Sequence, residues 1–346
     1  MTFFDFWRVP ERMGLGREDL FEDISGIGVD SGDCLALGIS LKSIGWIDVG
    51  PEALIDALLE AVGDDGTLMI PTFTRLFPLP IPKNKRGNGF RQRWGGLVPW
   101  DYVFDPDTTP PETGAVSAAM WRREGSVRSR HPSHSVVAIG RLARFLTDGH
   151  DENSSAFQPY ARLAKAGGKG LFIGLGGRLV SLRHQGQLEA GLLNILPPTH
   201  GVRFRREDGS IGIYRNNEWG CTLRLPDLNE DMIEKGLIVE GNIGEAESML
   251  VDAAGVVGSI AGVLSEDPSL NLCQSFNCLW CRELERRFDL YPRIRNPAIF
   301  QRSKLLRKVS FMLNEMRKRN SIWAYRAADI INAMIDLVEG RTVDPG

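Results

Sequence analysis

The segment RSRHPSHSVVAIG (residues 128–140) contains two of the chain's five histidines, His131 and His134, which are preceded by two arginines and followed by an apolar run. Two imidazoles at this spacing can ligate a metal ion. They can also act as proton acceptors, or form the wall of a site for an anionic ligand. The residue types by themselves leave all three interpretations open.

A third histidine, His184, lies in SLRHQGQLE (residues 181–189), shortly after the apolar run GLFIGLG (170–176). A side chain that follows the carboxyl end of a sheet strand is well placed for chemistry in an α/β protein. Histidine titrates near neutral pH and can take a proton from an amine or a thiol. The pattern is compatible with a catalytic base and also with an ordinary polar surface segment.

The segment SLKSIG (residues 40–45) stands between the apolar run DCLALGISL (33–41) and a predicted helix. Hydroxyl groups, a lysine and exposed backbone N–H groups at such a junction can hold a pyrophosphate or a pantetheine arm. A polar turn without a ligand is the alternative.

The run CQSFNCLWC spaces Cys273, Cys278 and Cys281 as C-x4-C-x2-C. Three of the four ligands of a plant-type iron–sulfur site have this spacing, and zinc also accepts thiolates. No cysteine follows in the sequence, and Cys221 lies far upstream. Structural thiols brought together by a helix are the alternative.

The bulk composition is that of a globular protein of 346 residues, with 42% hydrophobic and 25% charged residues and a formal charge of −3. This charge gives no signature of nucleic-acid binding. The start of the chain lacks the features of a signal peptide, and no apolar stretch is long enough to predict a membrane span. Five cysteines, an odd number, predict reduced thiols and a cytoplasmic location.

The predicted elements alternate between short buried strands and helices, which predicts an α/β fold with both faces of its sheet covered. PEALIDALLEAV (51–62) is predicted as a helix that stops at Gly63, and residues 244–264 are also predicted as helix. Residues 203–227, with the turn NNEWG, are predicted to form a small antiparallel element. The expected fold is a layered sandwich with a central mixed sheet, this small element and an appended C-terminal helical region.

We expect residues 1–270 to form one α/β domain and residues 271–346 a basic, aromatic-rich helical extension. From Arg282 to Arg319 the sequence has twelve Lys and Arg residues against four Asp and Glu residues. The interleaved apolar residues predict that these helices pack on the core or on a second subunit, with the arginines facing a negatively charged surface or ligand.

Several blocks in one order resemble the aminoglycoside 3-N-acetyltransferase family over about residues 18–265. The blocks are ISGIGVDSGDCLALGISLKSIGWIDVGPEALIDALLEAVGDDGTLMIPTFT, FDPDTTPPETGAVS, GSVRSRHPSHSVVAIGRLARFLTDGH, QPYARLAKAGGKGLFIGL and NIGEAESMLVDA. Members of that family transfer an acetyl group from acetyl-coenzyme A to a sugar amine and have an α/β sandwich fold.

The resemblance assigns expected roles to individual residues. It implies that the segment around His131 belongs to the wall of the coenzyme and active-site cleft, with no metal. The residues expected to bind the cofactor are Ser40, Leu41, Lys42, Ser43, Ser129, His131 and Ser135, and Arg128 and Pro132 line the same wall. The residues expected to be catalytic are His184, Ser181, Gln187 and Glu189.

The sequence departs from the family at positions that matter for the substrate. Gly38 stands where the family usually has His, Ala118 where it usually has Glu, and Trp121 where it has Arg. In the family's Thr-x-x-His-x-x-Glu, Gln187 replaces the carboxylate, and Glu189 is a candidate stand-in. On a helix, however, Glu189 lies about 140° around the axis from His184.

These observations together predict an N-acyltransferase that uses acetyl-CoA or another acyl-CoA. The expected acceptor is an amino sugar or a sugar-like amine. One form of this expectation is a nucleotide-linked amino sugar of a polysaccharide pathway. The alternatives are an aminoglycoside 3-N-acetyltransferase that confers antibiotic resistance, a non-catalytic family member that binds coenzyme A or another ligand, and a metal protein. The expected partners are a small-molecule amine and a second copy of the chain in a homodimer, with no nucleic acid.

Overall fold

The computed structural model describes residues 14–47, 50–79, 101–177, 179–198, 200–218, 220–273 and 278–288. The chain divides into two compact units. The larger unit comprises residues 1–85 and 92–273, and the smaller unit comprises residues 86–91 and 274–346.

The described residues form strands, helices and short 3-10 turns in an alternating order. The strands are β1 (Cys34–Ile39), β2 (Thr67–Pro71), β3 (Phe77–Pro78), β4 (Val127–Arg128), β5 (Val136–Gly140), β6 (Lys169–Ile173), β7 (His200–Arg205), β8 (Ile211–Asn216), β9 (Ile238–Ile243) and β10 (Ala246–Asp252). The helices are α1 (Arg17–Gly26), α2 (Pro51–Val62), α3 (Ala115–Arg122), α4 (Ala143–Thr147), α5 (Gln158–Lys165), α6 (Val180–Glu189), α7 (Asn229–Glu234), α8 (Ala253–Glu266) and α9 (Leu279–Arg287). The 3-10 turns are Leu41–Ser43, Leu225–Leu228 and Pro268–Asn271.

The larger unit is organised around a seven-stranded mixed sheet with the order β4-β5-β2-β1-β6-β10-β9. β1 runs parallel to both of its neighbours, β2 and β6. The outer strands are antiparallel to their neighbours. The first four residues of β1, β2 and β5 are mostly buried, as expected for strands covered on both faces.

Helices cover both faces of this sheet. Leu35 and Leu37 of β1 pack in one apolar cluster with residues of α1, α2 and α3. On the opposite face, a Cβ at Gly170 of β6 would lie 3.1 Å from the Leu182 side chain of α6, so the helix packs directly on the strand. At Gly186 the same helix approaches Ile260 of α8. The predicted sandwich with a mixed central sheet is confirmed.

A second, antiparallel sheet has the order β3-β7-β8 and packs on a small cluster of Phe104, Val202 and Phe204. It confirms the predicted antiparallel element, but the hairpin turn lies at residues 206–210 rather than at NNEWG. The latter segment follows the end of β8. The sequence REDGS at the true turn has Gly209 at φ +83°, a conformation that glycine adopts at low cost.

The prediction of one helix over residues 244–264 is wrong in its first half. Residues 246–252 form β10, and α8 begins at Ala253. The alternating burial of Ala246, Ser248 and Leu250 marks a strand at a sheet position between β6 and β9. Asp252 then caps α8 by accepting the backbone N–H of Gly255, which fixes the switch from strand to helix.

The smaller unit is described over residues 278–288, where α9 confirms a helix in the predicted extension. The rest of the basic segment that runs to residue 319 lies outside the described residues. Within the part of the chain that the structure describes, no helix combines the length and the hydropathy that a bilayer crossing needs.

The close contact between β5 and β2 gives a stability prediction. Gly140 has φ +113°, and a Cβ there would overlap the carbonyl oxygen of Gly66. We therefore expect Gly140→Ala to lower the free energy of unfolding by about 2–4 kcal/mol, because backbone strain and overlap add. Gly149→Ala is the matched control, because its φ is also positive but nothing lies within 4 Å of its Cβ position. Equal losses in urea denaturation of the two variants would contradict this account.

Candidate active site

The segments predicted to carry chemistry reach one edge of the central sheet. β1 and β6 are parallel neighbours, so the chain leaves both strands at the same edge, toward Ser40 and Gly174. β2 is parallel to β1, and its last residue, Pro71, pairs with Val136 at the start of β5. Residues 129–135, the Ser40 turn and the approach to α6 therefore share this edge.

The turn after β1 presents two hydroxyl groups and an ammonium group. The Oγ atoms of Ser40 and Ser43 are hydrogen-bonded at 2.8 Å, and Leu41 packs on the core beneath them. Lys42 is exposed. Gly174, at φ +66°, lies so close to Ser43 that a Cβ would overlap it, so a larger residue would push the β6 loop away. The arrangement suits a pantetheine or phosphate contact, and that role stays a prediction.

His184 is held on α6 by a hydrogen-bonded chain. Its Nδ1 lies 2.7 Å from Oε1 of Gln187, and Nε2 of Gln187 donates to the carbonyl oxygen of Cys221 at 2.8 Å. The Gln187 side chain is fully buried, whereas His184 retains partial exposure. Burial lowers the pKa of His184 to about 4, and the hydrogen bond to Gln187 offsets part of that effect. The imidazole is therefore neutral at pH 7.

The other two residues predicted to be catalytic have different surroundings. Ser181 precedes His184 by three residues, so the two side chains share one face of α6, and Ser181 is hydrogen-bonded to the hydroxyl of Tyr160. Glu189 is exposed and accepts a hydrogen bond from Nε2 of Gln185 at 3.0 Å. The stand-in role proposed for Glu189 does not agree with this position, because the carboxylate lies on a different side of the helix from His184.

An aromatic wall flanks His184. Its ring centroid is 5.1 Å from that of Phe157, and Phe157 is 5.3 Å from His134. Burial lowers the pKa of His134 to about 3. The spacing singled out His134 as a candidate without fixing its role, and it gave no signal for Phe157. Their contacts join segments that are distant in the sequence.

The residues predicted to contact the cofactor in the 129–135 segment lie behind the surface. Ser129, His131 and Ser135 are at most 2% exposed. Nδ1 of His131 accepts the backbone N–H of His134 at 3.0 Å, and its ring stacks on His150 at 4.7 Å. These side chains hold the 129–135 segment in place from within, and their contact with the coenzyme stays a prediction.

Arg128 organises the next layer. Its guanidinium donates to carbonyl groups of the 106–109 segment and to Oγ of Ser135, and it stacks on Phe104 and Trp121 at 5.1 and 5.6 Å. Burial lowers the pKa of Arg128 to about 10, so the group stays charged at pH 7. The Arg128 guanidinium therefore ties the 106–109 segment to Ser135, and its hydrogen bonds go to the protein itself.

The position where the resemblance implies a histidine is filled by other side chains. A Cβ at Gly38 would lie 2.7 Å from Phe172 and 2.9 Å from Leu175. An imidazole at this position would need both side chains to move. The departure at Gly38 is therefore built into the packing of β1 against β6.

The cysteines form two pairs, one in each unit. In the larger unit, the Sγ atoms of Cys221 and Cys273 lie within 4.8 Å of each other. In the smaller unit, the same limit holds for Cys278 and Cys281, which lie at the N-terminus of α9. A tetrahedral zinc ion takes four ligands, so neither pair by itself completes such a site.

Comparisons with known proteins agree with this geometry. The sequence model of the family described as aminoglycoside 3-N-acetyltransferase matches residues 38–265. The aminoglycoside N(3)-acetyltransferase VIII of Streptomyces fradiae is 31% identical over 265 residues, covering 71% of this chain and 91% of that protein. An aminoglycoside N(3)-acetyltransferase III of a Salmonella species is 30% identical over 258 residues, covering 70% of this chain and 88% of that protein.

Among solved structures, the aminoglycoside acetyltransferase AAC(3)-IVa as apoenzyme superposes with a TM-score of 0.62 at 25% identity. The superposition covers 80% of this chain and 99% of that one. It supports the α/β fold derived above.

The buried histidines predict a loss of stability in acid. Burial lowers the pKa of His150 to about 3 and that of His131 well below its ordinary value. The unfolded chain binds these protons near pH 6.5. The stabilising contribution of the neutral rings is thus complete above that pH and is lost as the pH falls toward the folded-state values. Below pH ~6.5 we expect the free energy of unfolding to drop by up to ~1.4 kcal/mol per pH unit for each ring.

Denaturant titrations over a pH series measure this slope. His150→Asn keeps a polar partner for Ser129, which is 2.9 Å from Nδ1 of His150, but removes one titrating group. Its slope should be smaller by about one proton. Identical slopes for the two proteins would contradict the assignment.

The sequence favours structural thiols at the cysteines over a metal site, and a direct test separates the two interpretations. Elemental analysis of the full-length protein, purified without chelator, should find about one equivalent of zinc or iron per chain if Cys273, Cys278 and Cys281 are ligands. Cys278→Ser should then lose that metal, and Cys34→Ser is the control, because Cys34 lies in β1. A metal-free wild-type protein would end this interpretation.

Proposed function

The chain belongs to the aminoglycoside 3-N-acetyltransferase family, and we propose that it transfers an acyl group from acetyl-CoA, or another acyl-CoA, to the amine of an amino sugar or a sugar-like amine. The observation that carries the proposal is the position of His184. His184 lies on α6, the helix that follows the carboxyl end of β6, and its Nδ1 is engaged by Gln187; the turn with the Ser40–Ser43 hydroxyl pair follows the carboxyl end of the neighbouring parallel strand β1.

The proposed reaction is direct transfer between two bound substrates. The amine nitrogen attacks the thioester carbonyl carbon, the C–N bond forms, and the C–S bond breaks. Nε2 of His184 takes the proton that the nitrogen loses and can return it to the departing thiolate. Ser181 hydrogen-bonds the sulfur as charge develops on it. The products are an amide and coenzyme A, and no redox step is involved.

Contacts to the acyl-CoA are proposed for the turn after β1. Lys42 offers a positive charge for a phosphate, and Ser40 and Ser43 offer hydroxyl groups to the pantetheine amides. Glycine at position 174 keeps the β6 loop close to this turn.

The identity of the acceptor is the part of the proposal that departs from the relatives. Those relatives are named for aminoglycosides, which carry several ammonium groups, and such ligands favour sites with carboxylates. In this chain Gln187 and Ala118 stand where the family resemblance implies Glu. We therefore favour an amino sugar with fewer charges, including a nucleotide-linked one in a polysaccharide pathway. An aminoglycoside is the second candidate, and family membership favours it.

Product identification distinguishes the candidates. Full-length protein would be incubated with acetyl-CoA and longer acyl-CoAs and with pools of amino sugars, nucleotide sugars and aminoglycosides, and mass spectrometry would detect acylated products. Acylation of the first two pools supports the proposal, and acylation of aminoglycosides alone supports the second candidate. Coenzyme A binding without any product would support the non-catalytic alternative. The cytoplasmic location and the homodimer stay predictions.

His184→Ala tests the mechanism. We expect the acyl-transfer rate to fall by about 100-fold or more, the usual scale for the loss of a general base, while the circular dichroism spectrum and the affinity for coenzyme A stay unchanged. His200→Ala is the control, because His200 lies on β7 in the small sheet. A near-normal rate for His184→Ala would remove this residue from the mechanism.

A further inference from the structure

We propose that the acceptor amine binds in its uncharged form, because Gln187 fixes the tautomer of His184 without supplying the negative charge that would hold an ammonium group. This inference rests on the proposed acyl-transfer function and names the substrate class of that site: weakly basic amines. Gln187 is a positioning residue in this account, since it acts through His184.

The hydrogen-bonded chain determines where the proton on His184 lies. The carbonyl oxygen of Cys221 accepts and cannot donate, so the amide nitrogen of Gln187 must face it, at 2.8 Å. The amide oxygen then faces Nδ1 of His184 at 2.7 Å. Because that oxygen is also an acceptor, Nδ1 carries the hydrogen, and the lone pair of the neutral ring is on Nε2.

The amide has little freedom to turn away. Gln187 is fully buried, and the backbone of Gly220 packs directly against it. A Cβ at position 220 would lie 2.5 Å from Oε1 of Gln187 and 2.9 Å from Cδ2 of Leu193. Glycine at this position therefore lets the chain approach closely enough to hold the amide in one orientation.

Among the described residues, the recorded partners of the His184 ring are uncharged. Phe157 contacts its ring, and the next ring in that wall, His134, is neutral. Tyr160 of the adjacent α5 also stays neutral, because burial raises its pKa to about 12. The carboxylate on this side, Glu218, accepts hydrogen bonds from the hydroxyl of Ser155 and the N–H of Ala156.

The remaining carboxylate of α6 is also engaged elsewhere, since Glu189 pairs with Gln185. Burying an ammonium group against neutral partners costs free energy that a free amine avoids. At pH 7 about one-tenth of an amine with a pKa near the α-amino value of about 8 is uncharged, whereas for an alkylamine near 10.4 the uncharged fraction is roughly 200-fold smaller.

Restoring the carboxylate would not simply restore the family site. In Gln187→Glu, one carboxylate oxygen would take the place of the amide nitrogen and face the Cys221 carbonyl oxygen at about the 2.8 Å now occupied by a hydrogen bond. Two acceptors at that distance repel each other, so the introduced carboxyl must bind a proton or leave its place. The protein environment selects an amide at this position.

The first experiment compares pH profiles of kcat/KM for a series of primary amines of similar size and graded basicity, using the full-length protein and acetyl-CoA. We expect the rising limb of each profile to move with the pKa of the amine. We also expect kcat/KM per total amine at pH 7 to drop roughly 10-fold for each unit of amine pKa above 7, in proportion to the uncharged fraction. A rising limb that stays at one pH for every amine would overturn the inference and leave the acyl-transfer function intact.

The second experiment reads the tautomer without turnover. In nitrogen NMR spectra of the histidine-labelled protein, the His184 signals, assigned with His184→Ala, should show hydrogen on Nδ1 and a bare Nε2 at pH 7. The opposite tautomer, or a protonated ring, would overturn the inference even if no amine is acetylated. Conversely, the expected tautomer without turnover of any amine would count against the proposed function while leaving the positioning role of Gln187 intact.

Matched variants separate positioning from packing. Gln187→Met keeps the volume and removes the hydrogen bond to Nδ1, and we expect kcat to fall about 10–100-fold, the range seen for residues that orient a functional imidazole, with KM for acetyl-CoA unchanged. Gly220→Ala should also lower kcat, because the added methyl group would push the Gln187 side chain out of place without changing its chemistry. Gln185→Met removes an amide of the same helix that is bonded to Glu189, and it should leave kcat within about twofold. If Gln187→Met and Gln185→Met lowered kcat equally, the hydrogen bond between Gln187 and His184 would have no specific role in catalysis.

Discussion

The parallel pairing of β1 with β2 on one side and with β6 on the other is the constraint on which the site depends. Parallel strands release the chain at the same edge of a sheet. The turn at Ser40, the 129–135 segment and the helix that carries His184 are therefore neighbours, although they are far apart in the sequence. Close glycine contacts, such as Gly174 against Ser43, keep these segments together.

Behind that edge the described part of the chain buries several neutral polar groups. His131, His150 and Gln187 are almost completely buried, and each makes hydrogen bonds that offset part of the cost of its burial. The charged group in this layer, Arg128, is held by carbonyl oxygens and aromatic faces. Such a wall is held in place by hydrogen bonds and adds little net charge next to the cleft.

The residues at which the sequence departs from the family have neighbours that suit them. Phe172 and Leu175 fill the space beside Gly38, and Trp121 stacks on Arg128. At Gln187, the Cys221 carbonyl provides a partner that suits an amide and opposes a carboxylate. Altered residues with matching neighbours support the proposal of a different acceptor.

The sequence by itself determined the α/β class and most element positions, because strand and helix periodicity are local properties. The roles of His184 and of the Ser40 turn are what the family resemblance implies, and they stay predictions. It misassigned the first half of residues 244–264, since a short apolar strand at an inner position of a sheet looks like helix until its neighbours are known. Only the tertiary structure decided which residues face the cleft. It placed His131 behind the wall, brought Phe157 to His184, and set the carbonyl of Cys221 against Gln187, because burial and hydrogen-bond partners depend on chain segments that the sequence pattern does not connect.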